Sequence, residues 1–410
     1  MKKIFYGWWV VLACFIIGLY VSSVVFYGFT AFFEPLIREF GWSYTQISFA
    51  ASLRGMEMGF LAFPIGFLTD RLGPRKIIFL GVVSVGCGLL LLSLTRSLAM
   101  FYGAFLILGL GAGSATTVVT LAAVANWFDK NVGKAMGIMA SGFGASGLLV
   151  PFIVWSIDTF QWRITLILLA LGMWALGLPL CWVIRNRPRG RGSPAGGPGG
   201  SSSLDPEESS PPQAVLPFRQ ILRNRSFLYL NFVEGIRMMI VTSAITHVMP
   251  YLDSVGIQRT AAGWVAAAMP LCSIIGRLGF GWLADLFDKR YVYAMGFSGM
   301  GVGMLIFCTV HWHAAMLFPF LFLFSPGFGG TMVLRAAILR GYFGKESFGK
   351  TMGFIMGSAS IGGVAGPTLA GWVFDSLGSY RVLWLGYAGL LVVAILLASR
   401  LKPLKASAPD

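Results

Sequence analysis

Charged residues are scarce in this chain of 410 residues, where Asp, Glu, Lys and Arg together make up 11%. A soluble globular domain carries about a quarter charged residues, so this sequence lacks the polar surface needed to face water on every side. Cysteine and histidine are also rare, with five and three residues, and no Cys-x-x-Cys pair occurs. We therefore expect no disulfide framework, no metal site and no cofactor. The chain is instead 56% hydrophobic, which is typical of a membrane protein.

Twelve apolar runs of about 20 residues, each long enough to cross a bilayer, follow one another along the chain. They cover approximately residues 8–33, 45–69, 76–95, 98–125, 134–158, 163–185, 226–250, 260–285, 291–310, 313–340, 350–374 and 380–400. The sequence therefore predicts an all-α membrane protein with twelve transmembrane helices.

The 31 Lys and Arg residues give the chain a formal net charge of +15. Twenty-two of the 31 fall in the termini and the even-numbered loops, five in the odd-numbered loops and four inside the apolar runs. This positive-inside bias predicts a multi-pass protein of the cell (inner) membrane with both termini in the cytosol. The start of the chain runs directly into the first apolar run, so we expect an uncleaved signal anchor. The lipid bilayer accounts for the basic charge, and no nucleic-acid partner is expected.

The second half of the chain repeats features of the first. Residues of one loop recur 215 positions later, in the pairs Gly66 and Gly281, Asp70 and Asp285, and Arg75 and Arg290. Two similar helix bundles are typical of secondary transporters, because the bundles can rock about a site that lies between them. The repeat predicts two pseudo-symmetric six-helix bundles, at residues 1–185 and 218–410.

Residues 186–217 separate the two halves and contain the stretches SPAGGPGGSSS and EESSPPQ. A segment of Gly, Ser and Pro cannot bury a hydrophobic core and behaves as a flexible linker. The arginines at its start place this linker in the cytosol by the same charge bias.

The loop from Gly66 to Lys76 has the pattern GxxxDRxGxRK and, with the arrangement of six plus six helices, resembles the major facilitator superfamily. Further segments resemble its branch of monocarboxylate transporters and oxalate/formate antiporters, namely Tyr6-Gly7-Trp8, Glu39-Phe40-Gly41-Trp42-Ser43, and Trp127-Phe128-Asp129-Lys130 leading to Gly133-Lys134-Ala135-Met136-Gly137. The resemblance covers the whole chain except the linker. It implies the major facilitator fold and leaves the substrate open.

The repeated loop also predicts a latch between conformations. A carboxylate at the end of the second or eighth helix, with arginines just beyond it, can pair with neighbouring helix ends and hold the halves in one state. The predicted latch residues are Gly66, Asp70, Arg71, Gly73, Arg75, Gly281, Asp285 and Arg290. The alternative is that the basic residues of the loop only set the topology.

Charged residues inside the apolar runs indicate function, because each is costly unless it faces a cavity or a partner. Arg277 lies eight residues before Asp285, about 12 Å along a helix, and therefore near the middle of the bilayer. A guanidinium there can bind a carboxylate with two parallel hydrogen bonds and stays charged. The family resemblance also implies that Arg277, four residues before the repeated Gly281, anchors the substrate carboxylate.

Two further pairs have the spacing i, i+3, which places both side chains on one helix face. Glu234 and Arg237 form either a structural ion pair or a functional pair, in which Glu234 accepts a proton and Arg237 contacts the anion. Arg54 and Glu57 are interpreted as an outer gate or a structural pair. A fifth residue, Arg335, is seven residues from Tyr342 and is expected to extend to the cytosolic surface.

A small organic anion also needs apolar walls and a few polar groups around it. The predicted wall residues are Tyr27, Phe324 and Phe328, with Thr117 and Asn231 as polar candidates. For each of these, packing between helices is the alternative interpretation.

The chain departs from the family it resembles at three positions. The lysine that animal monocarboxylate transporters carry in the first helix corresponds to Tyr27, and the aspartate four residues before the eighth-helix arginine corresponds to Ser273. The lysine that oxalate exchangers carry within the eleventh helix is missing, since Lys350 lies at the start of that run. One cationic anchor favours a monocarboxylate over a dicarboxylate.

The segment GKESFGKT at residues 344–351 matches the P-loop pattern GxxxxGK[ST]. A P-loop works between a β-strand and a helix of an α/β domain, whereas this segment follows an apolar run. We interpret the match as coincidence, so that an ATP-driven pump or other membrane enzyme is a distant alternative.

These observations predict a carrier, not an enzyme, that moves a small monocarboxylate such as lactate, pyruvate or formate by alternating access with a proton. Its partners are the carboxylate substrate, a proton or counter-anion, and the lipid bilayer, and the chain is expected to be a monomer. One alternative is an organic anion exchanger of the oxalate/formate type. Another is a membrane sensor that binds a ligand without transporting it.

Overall fold

A computed structural model describes residues 5–128, 132–186, 218–343 and 348–402 of the chain. Nearly all of these residues are helical, and none of them forms a strand. The predicted linker lies outside the described residues except for Asn186, and so do residues 344–347 of the GKESFGKT segment.

Six long helices occupy the first half of the chain. They are α1 (Gly7–Phe40), α2 (Tyr44–Leu72), α3 (Pro74–Ser93), α4 (Leu98–Ala115, continued by Thr117–Ala125), α5 (Val132–Ala145, Ser146–Leu149 and residues 150–160) and α6 (residues 162–183). The backbone of Gln161 has a φ of 68°, which separates α5 from α6 within one helical stretch.

Six long helices also occupy the second half, after a short helix at Phe218–Leu222. They are α7 (Arg225–Ser254), α8 (Arg259–Leu286), α9 (Lys289–Phe307), α10 (Leu317–Phe343), α11 (Phe348–Leu377) and α12 (Arg381–Ser399). The described residues thus contain twelve long helices, and the prediction of twelve helices is confirmed.

Eight helical stretches are long and apolar enough to cross a membrane by length and composition. One of them, Ala135–Val183, includes both α5 and α6, so nine of the twelve helices are covered. Among the described residues the other three are α2, which carries charged side chains, and α9 and α11, which are rich in Gly and Ser. These more polar helices are the ones that need protein neighbours instead of lipid on part of their surface.

The helix ends follow from local sequence. Ser43 accepts a hydrogen bond from the backbone of Gln46, whose side chain in turn accepts one from the Ser43 backbone, and this capping box starts α2. Gly41 and Gly256, which are partners in the repeat, have φ values of 66° and 80°. Each follows the last turn of its helix, where a left-handed backbone favours glycine.

The helices of the two halves pack in the same pattern. In the first half α3 packs on α4 and α6, α2 on α4, and α1 on α5. The equivalent pairs six helices later are α9 with α10 and α12, α8 with α10, and α7 with α11. Between the halves, α2 packs on α11 and α5 packs on α8, which are also equivalent pairs. The packing therefore has an approximate twofold symmetry.

Glycines allow several of these helices to touch through their backbones. A Cβ atom at Gly276 of α8 would overlap the carbonyl of Pro326 in α10, and one at Gly147 of α5 would overlap the carbonyl of Ala267 in α8. Small residues at helix crossings are common in membranes, where close packing and not water drives association. Gly276 thereby sets the position of the next residue, Arg277.

We expect the substitution Gly276→Ala to lower the stability of the protein by about 1–3 kcal/mol, the usual range for overpacking. The obstacle is a backbone carbonyl, which cannot rotate away as a side chain can. The measurement is the melting temperature of the purified protein in detergent. Gly279→Ala on the same helix is the matched control, because nothing lies within 4 Å of its added methyl group. Equal melting temperatures for the two variants would contradict this packing.

Candidate functional site

Arg277 lies nine residues before the end of α8, next to Gly276, where α8 and α10 are in contact. Its side chain is partly buried, and its Nε atom is fully buried without a hydrogen-bond partner. Within the described part of the chain, its guanidinium forms neither an ion pair nor a hydrogen bond. A guanidinium presents five donors in a fixed plane, so Arg277 has free donors for an anionic ligand.

Tyr27 of α1 lies near Arg277 of α8 across the interface between the halves, close enough for a charge on one side chain to influence the other. Tyr27 ends a π-helical turn, Ser22–Tyr27, which a 3₁₀ turn, Gly28–Phe32, follows within α1. Irregular turns of this kind are frequent at functional sites, because they free backbone groups and redirect side chains. The structure thus brings two predicted site residues together, one from each half.

A buried group of four side chains, the Glu234 cluster, lies between α7, α9 and α10. It consists of Glu234, Arg237, Tyr293 and Arg335, and each side chain is at most 4% exposed. Glu234 Oε2 accepts hydrogen bonds from Arg237 Nε and from Arg335 Nη1, both at 2.9 Å, and Tyr293 donates to Oε1 at 2.7 Å. The carboxylate is therefore shared by two cations on different helices.

The prediction for Arg335 is wrong. Its side chain is 2% exposed and pairs with Glu234, instead of extending to the surface. Arg335 is seven residues from Tyr342, which corresponds to about 10 Å of helix. The buried carboxylate of Glu234 on α7 is within reach and is a stronger partner for the guanidinium than water at that distance.

The electrostatics of this region favour an anion. Arg237, Arg335 and Arg277 supply three positive charges against the single carboxylate of Glu234, and Arg277 interacts electrostatically with Arg237. Charges at this depth act through a weakly polarisable medium, so the excess positive charge attracts a negative ligand strongly.

Arg54 and Glu57 do not form an ion pair. Arg54 Nη1 donates a hydrogen bond to the carbonyl of Val25 in the π-helical turn of α1, and its guanidinium lies 4.6 Å from the centre of the Phe26 ring. Glu57 instead faces Gly109 of α4, where a Cβ atom would overlap its Oε2 atom. The predicted pair is wrong because α1 supplies Arg54 with an acceptor closer than its own helix does.

The other predicted wall residues and the polar candidates lie in different surroundings. Phe324 is fully buried, and its backbone and Cβ atoms pack against Gly303 of α9, so it is a packing residue. Phe328 lies seven residues before Arg335 on α10, which places the two on the same helix face. Asn231 accepts a hydrogen bond from Ser358 of α11. The side chain of Thr117 lies outside the described residues, although α4 is interrupted at Thr116 next to it.

The repeated loops are not joined to each other among the described residues. Asp285 is exposed, and Arg290 pairs with Asp288 of its own loop at 2.9 Å. The side chain of Asp70 lies outside the described residues, Arg71 lies over the Phe67 ring, and the backbone of Arg75 donates to Asn186. Gly73 has a φ of 83° beside Asn186, while a Cβ atom at Gly66 would have nothing within 4 Å and one at Gly281 would only touch Val333 at 3.9 Å. The latch stays a prediction.

Among the described residues, the hydrogen bonds between the two halves lie toward one end of the molecule. We call the end that carries Tyr6 and Leu401 the terminal face, and the other end the opposite face. Arg259 of α8, at the opposite face, pairs with Glu34 of α1 at 2.9 Å and with Asp158 of α5 at 2.7 Å, and donates to the carbonyl of Ala31. Arg259 therefore ties one half to two helices of the other.

Two more contacts close the opposite face. Asp375 of α11 accepts hydrogen bonds from the backbone of Tyr44 and Thr45 at the start of α2. His247 of α7 is fully buried and bonds with Ser48 of α2 at 2.9 Å and with Tyr380 at 2.9 Å. Every hydrogen bond or ion pair that the structure shows between described residues of the two halves lies in this region or just beneath it.

Sequence reasoning missed this closure. In the sequence, Arg259 is one of the five basic residues of the odd-numbered loops, and this count alone gives no indication of an ion pair. The available signal was that Arg259, Glu34 and Asp158 all lie near loops predicted on the same side of the membrane.

A family model described as Major Facilitator Superfamily matches residues 14–251 and 232–410 of the chain. Monocarboxylate transporter 12 of Rattus norvegicus is 25% identical over 412 residues, which cover 93% of this chain and 82% of that protein. Monocarboxylate transporter 13 of Rattus norvegicus is 24% identical and covers 95% of this chain and 87% of its own. The protein YcxA of Bacillus subtilis (strain 168), described as an uncharacterized MFS-type transporter, is 24% identical, with 92% and 90% covered.

A solved structure has the same fold. It is a bacterial homolog of the human lysosomal transporter Spinster, in an inward-facing and unoccupied conformation. The TM-score is 0.78 over 98% of both chains, at 16% sequence identity. At this identity the likeness concerns the fold alone.

We expect Glu234→Gln to destabilise the protein by about 3–5 kcal/mol, because it leaves two buried arginines without a counter-charge. Tyr293→Phe removes one hydrogen bond from the same carboxylate and should cost about 1 kcal/mol. The melting temperatures of both variants in detergent check the order of the two effects. A Glu234→Gln protein as stable as the wild type would show that the two ion pairs contribute little.

We expect Arg259→Gln to open the opposite face. The readout is the rate at which a thiol reagent modifies an Ala262→Cys reporter, since Ala262 is 1% exposed in this structure. Arg163→Gln is the matched control, because Arg163 also lies at this face but binds Glu39, Ser93 and Thr95 within the first half only. Faster labelling is expected for the Arg259 variant alone, and equal labelling of both would contradict a closure held by Arg259.

Proposed function

Because this chain belongs to the major facilitator superfamily, we propose that it is a secondary transporter of a small monocarboxylate that works by alternating access and proton symport. The observation that carries the proposal is Arg277, a guanidinium inside the membrane with no partner in the described part of the chain. An unpaired charge there is costly and is retained where it serves a ligand.

The charge pattern supports a substrate with one carboxylate. Of the three arginines near the middle of the second half, two share Glu234, whereas Arg277 forms no ion pair or hydrogen bond with the described residues. One free guanidinium matches one carboxylate in a bidentate pair. A dicarboxylate would leave its second charge without a comparable partner. Several of the relatives carry the name monocarboxylate transporter, which is consistent with this chemistry.

Tyr27 gives the site a contribution from the other half. An anion bound between Arg277 and Tyr27 would contact α8 and α1 at once, so that binding would bias the relative position of the two halves. Such a contact is what alternating access requires, since the ligand must interact differently with the two states.

The opposite face is held together by Arg259, Asp375 and His247, and we propose that the substrate enters and leaves this state through the terminal face. The positive-inside bias assigns the terminal face to the cytosol. In this proposal the protein resides in the cell (inner) membrane, has six-helix bundles at residues 1–185 and 218–410, and works as a monomer.

The decisive measurement is uptake of labelled lactate into proteoliposomes with and without an inward proton gradient. Arg277→Gln should abolish uptake. Arg277→Lys keeps the charge but loses the paired donors, so the KM should rise by about 10- to 100-fold, the equivalent of 1.4–3 kcal/mol in a charge-assisted contact. Arg340→Gln, an exposed arginine at the end of α10, is the control and should behave as the wild type.

Three other outcomes are informative. Flux that appears only when formate or oxalate is loaded inside would make the protein an exchanger. Binding without flux would indicate a sensor. Equal uptake by the wild type and Arg277→Gln would remove Arg277 from the substrate site.

A further inference from the structure

Glu57 is an acidic residue near the middle of α2. It lies 13 residues from the start of α2 and 15 from its end, or about 20 Å from either. The substrate site as described above does not use it, and the ion pair expected with Arg54 is not formed.

The carboxyl group of Glu57 sits between α2 and α4. Its Oε2 atom is buried and has no hydrogen-bond partner. The space it occupies exists because residue 109 of α4 is glycine, since a Cβ atom there would overlap Oε2. The carboxyl group of Glu57 therefore fits into the space that Gly109 leaves on the apolar surface of α4.

Among the described residues, no charged group forms an ion pair with Glu57. Arg54, one turn away, is bound to Val25 and Phe26 of α1, and residues 98–125 of α4 contain no Asp, Glu, Lys, Arg or His. The hydroxyl of Tyr102 on α4 is bound to the Gln46 carbonyl. Other titratable groups described on helices that contact α2 lie near its ends, namely His247 of α7 and Asp375 of α11 at the opposite face, and Arg75 and Lys76 of α3 at the terminal face.

The Oε2 atom of an ionised carboxylate in this position would lose its hydration without gaining a partner, which is unfavourable. A protonated carboxyl avoids most of that cost. Glu234 is in the reverse situation, because two guanidinium groups and a tyrosine hydroxyl stabilise its ionised form. Glu234 therefore has two cationic partners, whereas Glu57 has none among the described residues.

We infer that Glu57 is the proton-binding site that couples transport to the proton gradient, an inference that rests on the proposed proton symport. In this structure the proton is on the Glu57 carboxyl. When Glu57 loses it, the nearest cation is Arg54 on the same helix face, and an ion pair between them releases the Val25 carbonyl. Val25 and Tyr27 belong to the same π-helical turn. Loss of the proton thereby alters the turn that positions Tyr27 beside Arg277.

The transport test compares the wild type with Glu57→Gln, which imitates the protonated carboxyl permanently. We expect uptake of labelled lactate driven by a proton gradient to fall at least about tenfold, while exchange of lactate for lactate stays within about twofold of the wild type. Gradient-driven uptake that survives in Glu57→Gln would overturn the inference, and would leave a proton-coupled transporter whose proton binds elsewhere.

A second variant tests the position of the carboxyl without removing it. Gly109→Ala should displace the Glu57 side chain and shift the pH at which uptake is half-maximal. Gly103→Ala on the same helix is the matched control, because nothing lies within 4 Å of its added methyl group. Identical pH profiles for the two alanine variants would count against Glu57.

A spectroscopic readout separates this inference from the proposed function. Infrared difference spectra of the reconstituted protein, recorded while pH is varied, should contain the C=O band of a protonated carboxyl that disappears in Glu57→Gln. If the wild type fails to transport lactate but this band is present, the proposed substrate is wrong and the proton site stands. If no carboxyl band is lost in Glu57→Gln, the proton site is wrong whatever the transport result.

Discussion

The cost of an unpaired charge inside the bilayer is the constraint on which the rest of this structure depends. Glu234 meets it by binding Arg237 and Arg335, and these two bonds connect α7 to α10. Arg54 meets it by donating to a backbone carbonyl that a π-helical turn makes available. Arg277 and Glu57 have no such partner among the described residues. We propose an anionic ligand for Arg277 and a proton for Glu57.

The glycines complement this arrangement of charges. Gly276 brings α8 against α10 and places Arg277, while Gly109 leaves the space that Glu57 occupies. The contacts between the halves also combine small residues and polar groups. Glycines and small polar groups pack α2 on α11 and α5 on α8, and the hydrogen bonds between the halves are concentrated at the opposite face. Packing of this kind allows two rigid bundles to move as units about a ligand between them.

The family match identifies the class of this protein but not its substrate or its coupling ion. The family match extends over most of the chain, and the relatives at about 25% identity include proteins named as monocarboxylate transporters. These findings identify a multi-pass membrane transporter family. The proposals for the substrate and the coupling ion rest instead on Arg277, Tyr27 and Glu57, and the chain differs from the pattern of the monocarboxylate branch at Tyr27 and Ser273.

The sequence by itself determined the twelve helices and their repeat, because hydropathy and residue spacing are local properties of the chain. Only the tertiary structure decided the partners. Arg335 was expected at the surface and pairs with Glu234, and Arg54 was expected to pair with Glu57 and binds α1 instead. Partners on other helices are set by the rotation and crossing of each helix, which a spacing of three or four residues along one helix does not contain.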